Sequence, residues 1–420
     1  MLKKGIQFLN ERPQIKNLSI YGIGQVFNLV TPLLIAPYLV SVCGIEGFGK
    51  IGTGFALAFF LIVFVDYGSD IIGVREVSIN RNDSDSLKKI FVTTYLTKFL
   101  MLLSVLGIMT LLIKIIPYFR NEQTLYFLSL SILAGQFLNP IWFLQGQENY
   151  KWVTYLNIIS KLLYVAFIFV LVKDTNDYIF ANLCFGIGMI IAGIIGFIKV
   201  IFDLKLKTKD FLRVSVTQNF KKGFSIFSSQ LFVSLQIYLP VIIISYVGGN
   251  VLAGYYRIVE QIIVMFKTYI FLFFNFLFPR VSLLLNENKK EAFRFWKNYN
   301  LMNLALVTVM MIVVFVLAQY IVLYFSKEGV AEITGYLRTA VFIPVLLVIQ
   351  TSLKQIILGS EKNVIYTRIT IFWVLIQLAM IFALTSIYGI LGVILIMIFI
   401  EIMTILCFGM VISNNKLLKE

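Results

Sequence analysis

Apolar runs of about twenty residues recur along this chain from Leu18 to Ile412, and they constrain its fold more than any other feature. Each run is long enough to cross a hydrocarbon layer roughly 30 Å thick. Backbone polar groups inside a bilayer must be satisfied within the chain, so such runs predict membrane-spanning α-helices. With 59% hydrophobic and 14% charged residues in 420, the chain has too many apolar side chains for a water-soluble core. The predicted fold class is therefore all-α and integral to a membrane.

Twelve spans can be delimited, and they are numbered 1 to 12 in chain order. They cover residues 18–43, 48–68, 90–113, 124–145, 152–172 and 178–202, then 223–247, 251–278, 299–325, 335–357, 364–387 and 389–412. Residues 1–202 are predicted to form an N-terminal six-helix bundle and residues 223–420 a C-terminal one. The basic segment 203–222 is the predicted cytoplasmic linker, either a solvated loop or a short interfacial helix on anionic headgroups.

The loops between the spans predict the orientation of the chain in the membrane. About 23 Lys and Arg side chains fall on one side in this count, against about four on the other, which are Lys114, Arg120, Lys173 and Lys327. Because basic loops stay in the cytoplasm, both termini are predicted to be cytoplasmic. The same bias accounts for the net charge of +15 without a nucleic-acid partner.

An internal repeat is indicated by identities at a constant offset of 205 residues. The matches are Lys16 with Lys221, Gln25 with Gln230, Phe27 with Phe232, Val42 with Val247, Gly44 with Gly249, and Gly49 with Gly254. Chance is the alternative, because apolar helices resemble one another in composition. If the halves are duplicated, six spans in each make them enter the membrane from the same side, as parallel repeats.

Several classes of chemistry find no support in the sequence. The chain has no histidine, no P-loop pattern and no HExxH motif, which argues against an ATPase, a hydrolase or a metal centre. Cys43, Cys184 and Cys407 are far apart and lie in or beside apolar spans, so they are expected to be small core residues. No cofactor, metal or catalytic residue is predicted, and the chain is expected not to be an enzyme.

Ionisable residues inside the spans are the candidate functional residues, because a charge at the centre of a membrane helix costs roughly 2.5–3.5 kcal/mol and needs a partner or a wet cavity. The candidate substrate-binding cations are Lys98, Lys161, Arg257, Lys267 and Arg338. Glu260 and Glu401 are the candidate coupling or ion-pairing carboxylates, and spacing puts Glu260 within reach of both Arg257 and Lys267. Buried pairing or snorkelling is the alternative for each.

Two further features concern the ends and the shape of spans. Asp66 and Asp70 are expected to end span 2 and to pair with Arg75. Pro32 and Pro37 in span 1 and Pro240 in span 7 predict bent helices at the start of each half, which would suit the moving element of alternating access.

Motifs in both halves carry a family resemblance. They are Asp66-Tyr67-Gly68 with Val74-Arg75-Glu76, Trp142-Phe143-Leu144-Gln145-Gly146-Gln147-Glu148 with Lys161, Gly254-Tyr255-Tyr256-Arg257, and Leu358-Gly359-Ser360-Glu361-Lys362. Over nearly the whole chain, from Asn17 to Ser413, the sequence resembles the polysaccharide flippases of the MOP exporter superfamily, which translocate O-antigen and capsule repeat units. The resemblance implies two six-helix bundles around a central cavity in a bacterial inner membrane.

The resemblance also implies a substrate and partners. An undecaprenyl-diphosphate-linked oligosaccharide would be turned from the inner to the outer leaflet, with membrane lipids, a polysaccharide polymerase and a chain-length regulator as partners. Lys161 and Arg257, one from each half, are then expected to meet on the diphosphate. Sugar contacts are expected from the amide side chains within the spans, Gln25, Asn28, Gln136, Asn139, Gln230, Gln236 and Gln261.

Two other functions remain open at this stage. A multidrug or organic-cation exporter of the same superfamily would share the fold, but it should favour acidic rather than basic residues at depth. A membrane polysaccharide polymerase or ligase should carry a long outward loop, whereas the longest one here has about ten residues.

Overall fold

The computed structural model describes residues 13–207, 210 and 216–414, and within these residues it contains helices and no strand. The α-helices, numbered α1 to α15 in chain order, are Pro13–Asp66, Ile72–Ile79, Ser84–Ile115, Pro117–Arg120, Gln123–Ser129, Ser131–Leu138, Ile141–Gly146, Tyr150–Leu171, Ala181–Leu204, Val216–Gly248, Asn250–Glu287, Lys289–Phe325, Val330–Ala340, Phe342–Gly359 and Asn363–Asn414. A 3₁₀-helix, Thr175–Phe180, precedes α9. The prediction of an all-α fold is confirmed.

The number of spans agrees with the sequence. In the described part of the chain, ten helical stretches are long and apolar enough to cross a membrane. Two of them contain one non-helical residue, Gly44 in α1 and Gly389 in α15, so each comprises two spans. The chain is therefore a multi-pass membrane protein with the twelve predicted spans. Pro32 and Pro37 lie within α1 and Pro240 within α10, and the predicted bending at these prolines stays a prediction.

Two corners of the backbone support the internal repeat. Gly44, between spans 1 and 2, has φ 71° and ψ 173°, and its match Gly249, between spans 7 and 8, has φ 86° and ψ 169°. A positive φ is open to glycine at little cost and is strained for other residues. The two positions that the offset of 205 pairs thus share one uncommon conformation, which chance identity does not explain.

A second pair of corners follows spans 4 and 10. Glu148 and Glu361 both have a φ of 58°, and the backbone N–H of each bonds to the carbonyl oxygen three residues before it. The glycine two residues before each is tightly packed. A Cβ on Gly146 would lie 2.6 Å from Val77 Cβ, and one on Gly359 would lie 2.7 Å from Leu285 Cδ1. Each half therefore turns at the same glycine-x-glutamate step.

Contacts divide the chain into two compact units, Met1–Leu239 and Pro240–Glu420. Most of α10 therefore packs with the first unit, although its residues from 223 were assigned to the second half from the sequence. Of the predicted linker, residues 208–209 and 211–215 lie outside the described residues, and Val216–Lys222 forms the first turns of α10. The division into bundles 1–202 and 223–420 stays a prediction.

Candidate functional site

Span 4 is not a continuous helix, and the break positions the candidate site. Helix α6 ends at Leu138 and α7 begins at Ile141, because Pro140 has no backbone N–H to donate and Asn139 is extended, with φ −73° and ψ 113°. The Asn139 side chain caps α7 by accepting a hydrogen bond from the Ile141 N–H at 3.1 Å. Irregular backbone at membrane depth is tolerated where protein buries it or where it lines a wet cavity.

Side chains of span 3 bond to two backbone carbonyls beside this break. Lys98 Nζ donates to the Gln136 carbonyl at 3.1 Å, and the Tyr95 hydroxyl donates to the Leu138 carbonyl at 3.4 Å. The break was missed in the sequence analysis, although Pro140 after Asn139 within an apolar run was a usable signal.

A cavity of about 210 Å³ opens beside the broken helix, and its walls come entirely from the first unit. Its polar lining residues are Gln136, Asn139, Asn157, Ser160 and Lys161, and its aromatic ones are Phe59 and Phe185. Spans 2, 4, 5 and 6 all contribute. Lys161, Gln136 and Asn139 were expected at a binding site, whereas Asn157 and Ser160 were not singled out. They precede Lys161 by four residues and by one on α8, so helical spacing could have found Asn157.

Lys161 is the charged residue of this cavity. It lies near the middle of α8 and is half-buried, with Nζ 4.1 Å from the centroid of the Phe185 ring. Among the described residues, no carboxylate lies within 4.0 Å of it. A cation on an aromatic face keeps part of its electrostatic stabilisation without losing its charge. The cavity therefore holds an ammonium group that no neighbouring side chain neutralises.

Lys98 does not share this environment. Its side chain is 1% exposed, and its Nζ lies 3.0 Å from Asp66 Oδ1. Gln136 Nε2 donates to the other carboxylate oxygen at 2.8 Å, so Asp66, Lys98 and Gln136 form one closed network. Lys98 already has a carboxylate partner in this structure, which matches the buried pairing that the sequence left open, and its role as a substrate-binding cation stays a prediction.

The Asp66 to Asp70 corner contacts α10. Gln230 Nε2 donates to Asp70 Oδ2 at 2.6 Å, and the Tyr67 ring stacks on Phe227 with centroids 4.9 Å apart. Desolvation by the surrounding protein, followed by repulsion from Asp66, raises the pKa of Asp70. The expected pairing of these aspartates with Arg75 is replaced by contacts to Lys98 and Gln230. Gln230, a predicted sugar contact, is likewise engaged with the protein.

In the second unit, Arg257 is paired. Its Nη1 lies 2.5 Å from Glu260 Oε2, and the two side chains are 22% and 11% exposed. Spacing of three residues on one helix produces such a pair locally, as the sequence indicated. Arg257 Nε is buried and has no hydrogen-bond partner among the described residues, and the same holds for Gln261 Oε1. Beside the ion pair, the second unit therefore contains one buried donor, Arg257 Nε, and one buried acceptor, Gln261 Oε1, that no described residue satisfies.

Charge reversal tests whether this pair serves folding alone. Arg257→Glu with Glu260→Arg keeps the two charges on the same helical face. If the pair only stabilises α11, the double variant should restore the membrane abundance and the export that Arg257→Ala loses. Immunoblotting of membranes beside surface-polysaccharide staining measures both quantities. Restored abundance without restored export would show that export itself needs the positive charge at position 257.

Glu401 is a buried carboxylate near the middle of span 12. It is 9% exposed, and its Oε2 has no hydrogen-bond partner among the described residues. Lys267 of α11 is close enough to act on it electrostatically. Lys267 was expected to neighbour Glu260, but among the described residues no ion pair within 4.0 Å joins it to Glu260 or to Glu401.

Arg338 lies apart from these groups. It is exposed, its guanidinium stacks on Phe315 at 5.4 Å, and Nε donates to the Phe315 carbonyl at 3.4 Å. This is the arrangement of a side chain that snorkels along a helix surface. Lys354 was missed in the sequence analysis, and its Nζ lies 5.0 Å from the ring centroids of both Phe274 and Tyr366.

Comparison with known proteins gives a family match and a similar protein of full length. The profile of the family described as "Polysaccharide biosynthesis protein" matches residues 15–285. A protein of Escherichia coli strain K12, provisionally named an O-antigen transporter, is 24% identical over 96% of this chain and 97% of its own length.

Solved structures share the fold at low sequence identity. The inward-facing conformation of a multidrug resistance MATE family transporter of the MOP superfamily has a TM-score of 0.70 at 15% identity, covering 96% of this chain and 98% of that one. The inward closed conformation of the lipid II flippase MurJ has a TM-score of 0.71 at 13% identity, covering 95% of this chain and 87% of that one. At these identities the likeness establishes the fold alone.

Proposed function

The chain belongs to the family of polysaccharide biosynthesis proteins, and from that premise we propose that it is a flippase for a lipid-linked oligosaccharide. The carrier would be undecaprenyl diphosphate. The oligosaccharide would be an O-antigen or capsule repeat unit, moved from the inner to the outer leaflet of a bacterial inner membrane by alternating access. The protein would act as a transporter rather than an enzyme, and a polymerase and a chain-length regulator would use its product.

The observation that supports this proposal most is the cavity at the break in span 4. A flippase must hold a polar headgroup at membrane depth while the lipid tail stays in the bilayer, so its spans need wet, hydrogen-bonding surface. The cavity supplies amide and hydroxyl groups together with the ammonium of Lys161. Residues 1–202 and 223–420 would be the two bundles of the transport cycle.

The cavity also bears on the rival transport function. A multidrug exporter of the same superfamily would share the fold, so the fold does not discriminate. An organic cation entering this cavity would meet the positive charge of Lys161, which repels it. A polymerase or ligase is disfavoured by the short outward loops.

The proposed function is tested by the fate of lipid-linked repeat units. A deletion strain should accumulate complete units on the inner leaflet and lose surface polysaccharide, and the wild-type chain should reverse both effects. Mass spectrometry of extracted lipids, with a membrane-impermeant lectin to report the leaflet, measures them. Single exported units in the deletion strain would instead indicate a polymerase, and unchanged lipids with altered drug sensitivity would indicate a drug exporter.

Orientation is part of the proposal, since both termini and the 203–222 linker would be cytoplasmic. A cysteine placed in the linker should resist an impermeant maleimide in intact cells and react after permeabilisation. Reaction in intact cells would overturn the proposed topology and, with it, the division into two bundles.

Glu401 is proposed to balance Lys267 or to take up a proton during the cycle. A carboxylate that is buried with one unbonded oxygen favours a nearby cation or its own protonation. Glu401→Gln keeps the shape and removes the charge, so it should change the rate of export or its pH dependence in proteoliposomes. If both stay at wild-type values, Glu401 has neither role.

A further inference from the structure

The cavity of the first unit has the volume of a subsite rather than of a whole oligosaccharide. Its volume is about 210 Å³. Pockets for larger small molecules reach roughly 300–1,000 Å³. One sugar ring with its substituents fits this space. A single sugar unit of the substrate is therefore a ligand of suitable size for the cavity.

The walls have the chemistry of a sugar site. Phe59 and Phe185 stand nearly perpendicular, at 84° with centroids 5.7 Å apart, and give the cavity an apolar wall. Asn139 and Asn157 can bond to ring hydroxyls. The Asn157 amide and the Asn139 amide nitrogen make no hydrogen bond to any described residue, whereas the Asn139 oxygen accepts one from the Ile141 N–H. Apolar walls with a few placed polar groups are the usual form of a specific pocket.

The charge of the cavity points to one negative charge on that ring. Lys161 is the one charged residue among the lining residues, and Lys98 is neutralised by Asp66. A single ammonium matches a single carboxylate. A diphosphate carries more charge and is gripped best by arginine forks or by several donors, whereas a lysine acts as a point charge.

We infer that the cavity formed by Phe59, Asn139, Asn157, Lys161 and Phe185 binds one acidic sugar residue of the translocated oligosaccharide through its carboxylate. This inference rests on the proposed function and gives it a substrate class, namely repeat units that contain a uronic acid or another carboxylated sugar. It reassigns Lys161 from the carrier diphosphate to the oligosaccharide.

Binding to the purified full-length chain in lipid nanodiscs tests this without any transport step. The probes are methyl glucuronide, which carries a carboxylate, methyl glucoside, which is neutral, and inorganic pyrophosphate, which represents the carrier. Titration calorimetry or saturation-transfer NMR gives the affinities. We expect the glucuronide to bind at least about tenfold more tightly than the glucoside, because a hydrogen bond to a charged group is worth about that much.

Three variants test whether the preference for the glucuronide over the glucoside arises in the cavity. Lys161→Met removes the charge at similar length and should abolish the preference for the glucuronide. Asn157→Leu should weaken both sugars. Lys151→Met is the matched control, since Lys151 is exposed at the start of the same helix and outside the cavity, and it should change neither affinity.

Three results would overturn the inference. They are equal or absent binding of the two sugars by the wild-type chain, a preference that survives Lys161→Met, and pyrophosphate binding that exceeds glucuronide binding and is lost in Lys161→Met. The last would return Lys161 to the diphosphate. Each of these leaves the proposed function standing, because that function fails only if lipid-linked units do not accumulate in the deletion strain.

Discussion

Lys161→Met should reduce surface polysaccharide at least about tenfold while leaving the amount of protein in the membrane unchanged. The reason is that Lys161 has no carboxylate within 4.0 Å among the described residues, so its removal strands no buried partner. What is lost is the charge offered to the substrate, and a hydrogen bond to a charged group contributes roughly 1.5–3 kcal/mol. Surface staining, normalised to membrane immunoblots, gives the ratio.

Two further variants separate charge from shape. Lys161→Arg keeps the charge and should retain measurable export, whereas Lys151→Met on the same helix should behave as wild type. Normal polysaccharide in the Lys161→Met strain would remove Lys161 from the substrate path. A parallel fall in protein abundance would mean that Lys161 serves folding instead.

Lys98→Met should have the opposite signature, with protein abundance falling before any effect on transport can be assessed. It leaves Asp66 as an unpaired carboxylate that is almost fully buried beside the break in span 4. Removing one partner of a buried ion pair costs about 3–5 kcal/mol, which is a large part of the stability of most folded domains. The amount of monodisperse protein extracted in mild detergent, together with its apparent Tm, measures the loss.

The paired variant makes this prediction specific. Lys98→Met with Asp66→Asn removes both charges and keeps a hydrogen-bonding group opposite Gln136. It should recover most of the abundance, because a pair replaced by neutral groups of similar volume is often tolerated. If Lys98→Met alone is as abundant as wild type but inactive in export, Lys98 would be a functional cation after all, as first expected from the sequence.

Sequence reasoning succeeded where the property is local. Span positions follow from hydropathy because the bilayer is a solvent that acts on each window of about twenty residues separately. The breaks at Gly44 and Gly389 fall at or beside the ends of predicted spans for the same reason. The Arg257 and Glu260 pair was also foreseeable, since three residues along one helix set the contact.

The tertiary structure decided everything that depends on how helices are rotated and packed. Lys98 and Lys161 looked alike in sequence, as single lysines in apolar spans. Lys98 meets Asp66, 32 positions earlier, and the carbonyl of Gln136, 38 positions later. Lys161 lies on an aromatic face in a cavity, with no carboxylate of the described residues within 4.0 Å. No window of sequence contains these partners, because the side chain that neutralises a buried charge comes from a neighbouring helix at a register that packing alone selects. The sequence by itself determined that the chain spans a membrane twelve times with charges at depth, and only the packed helices determined which of those charges are already satisfied.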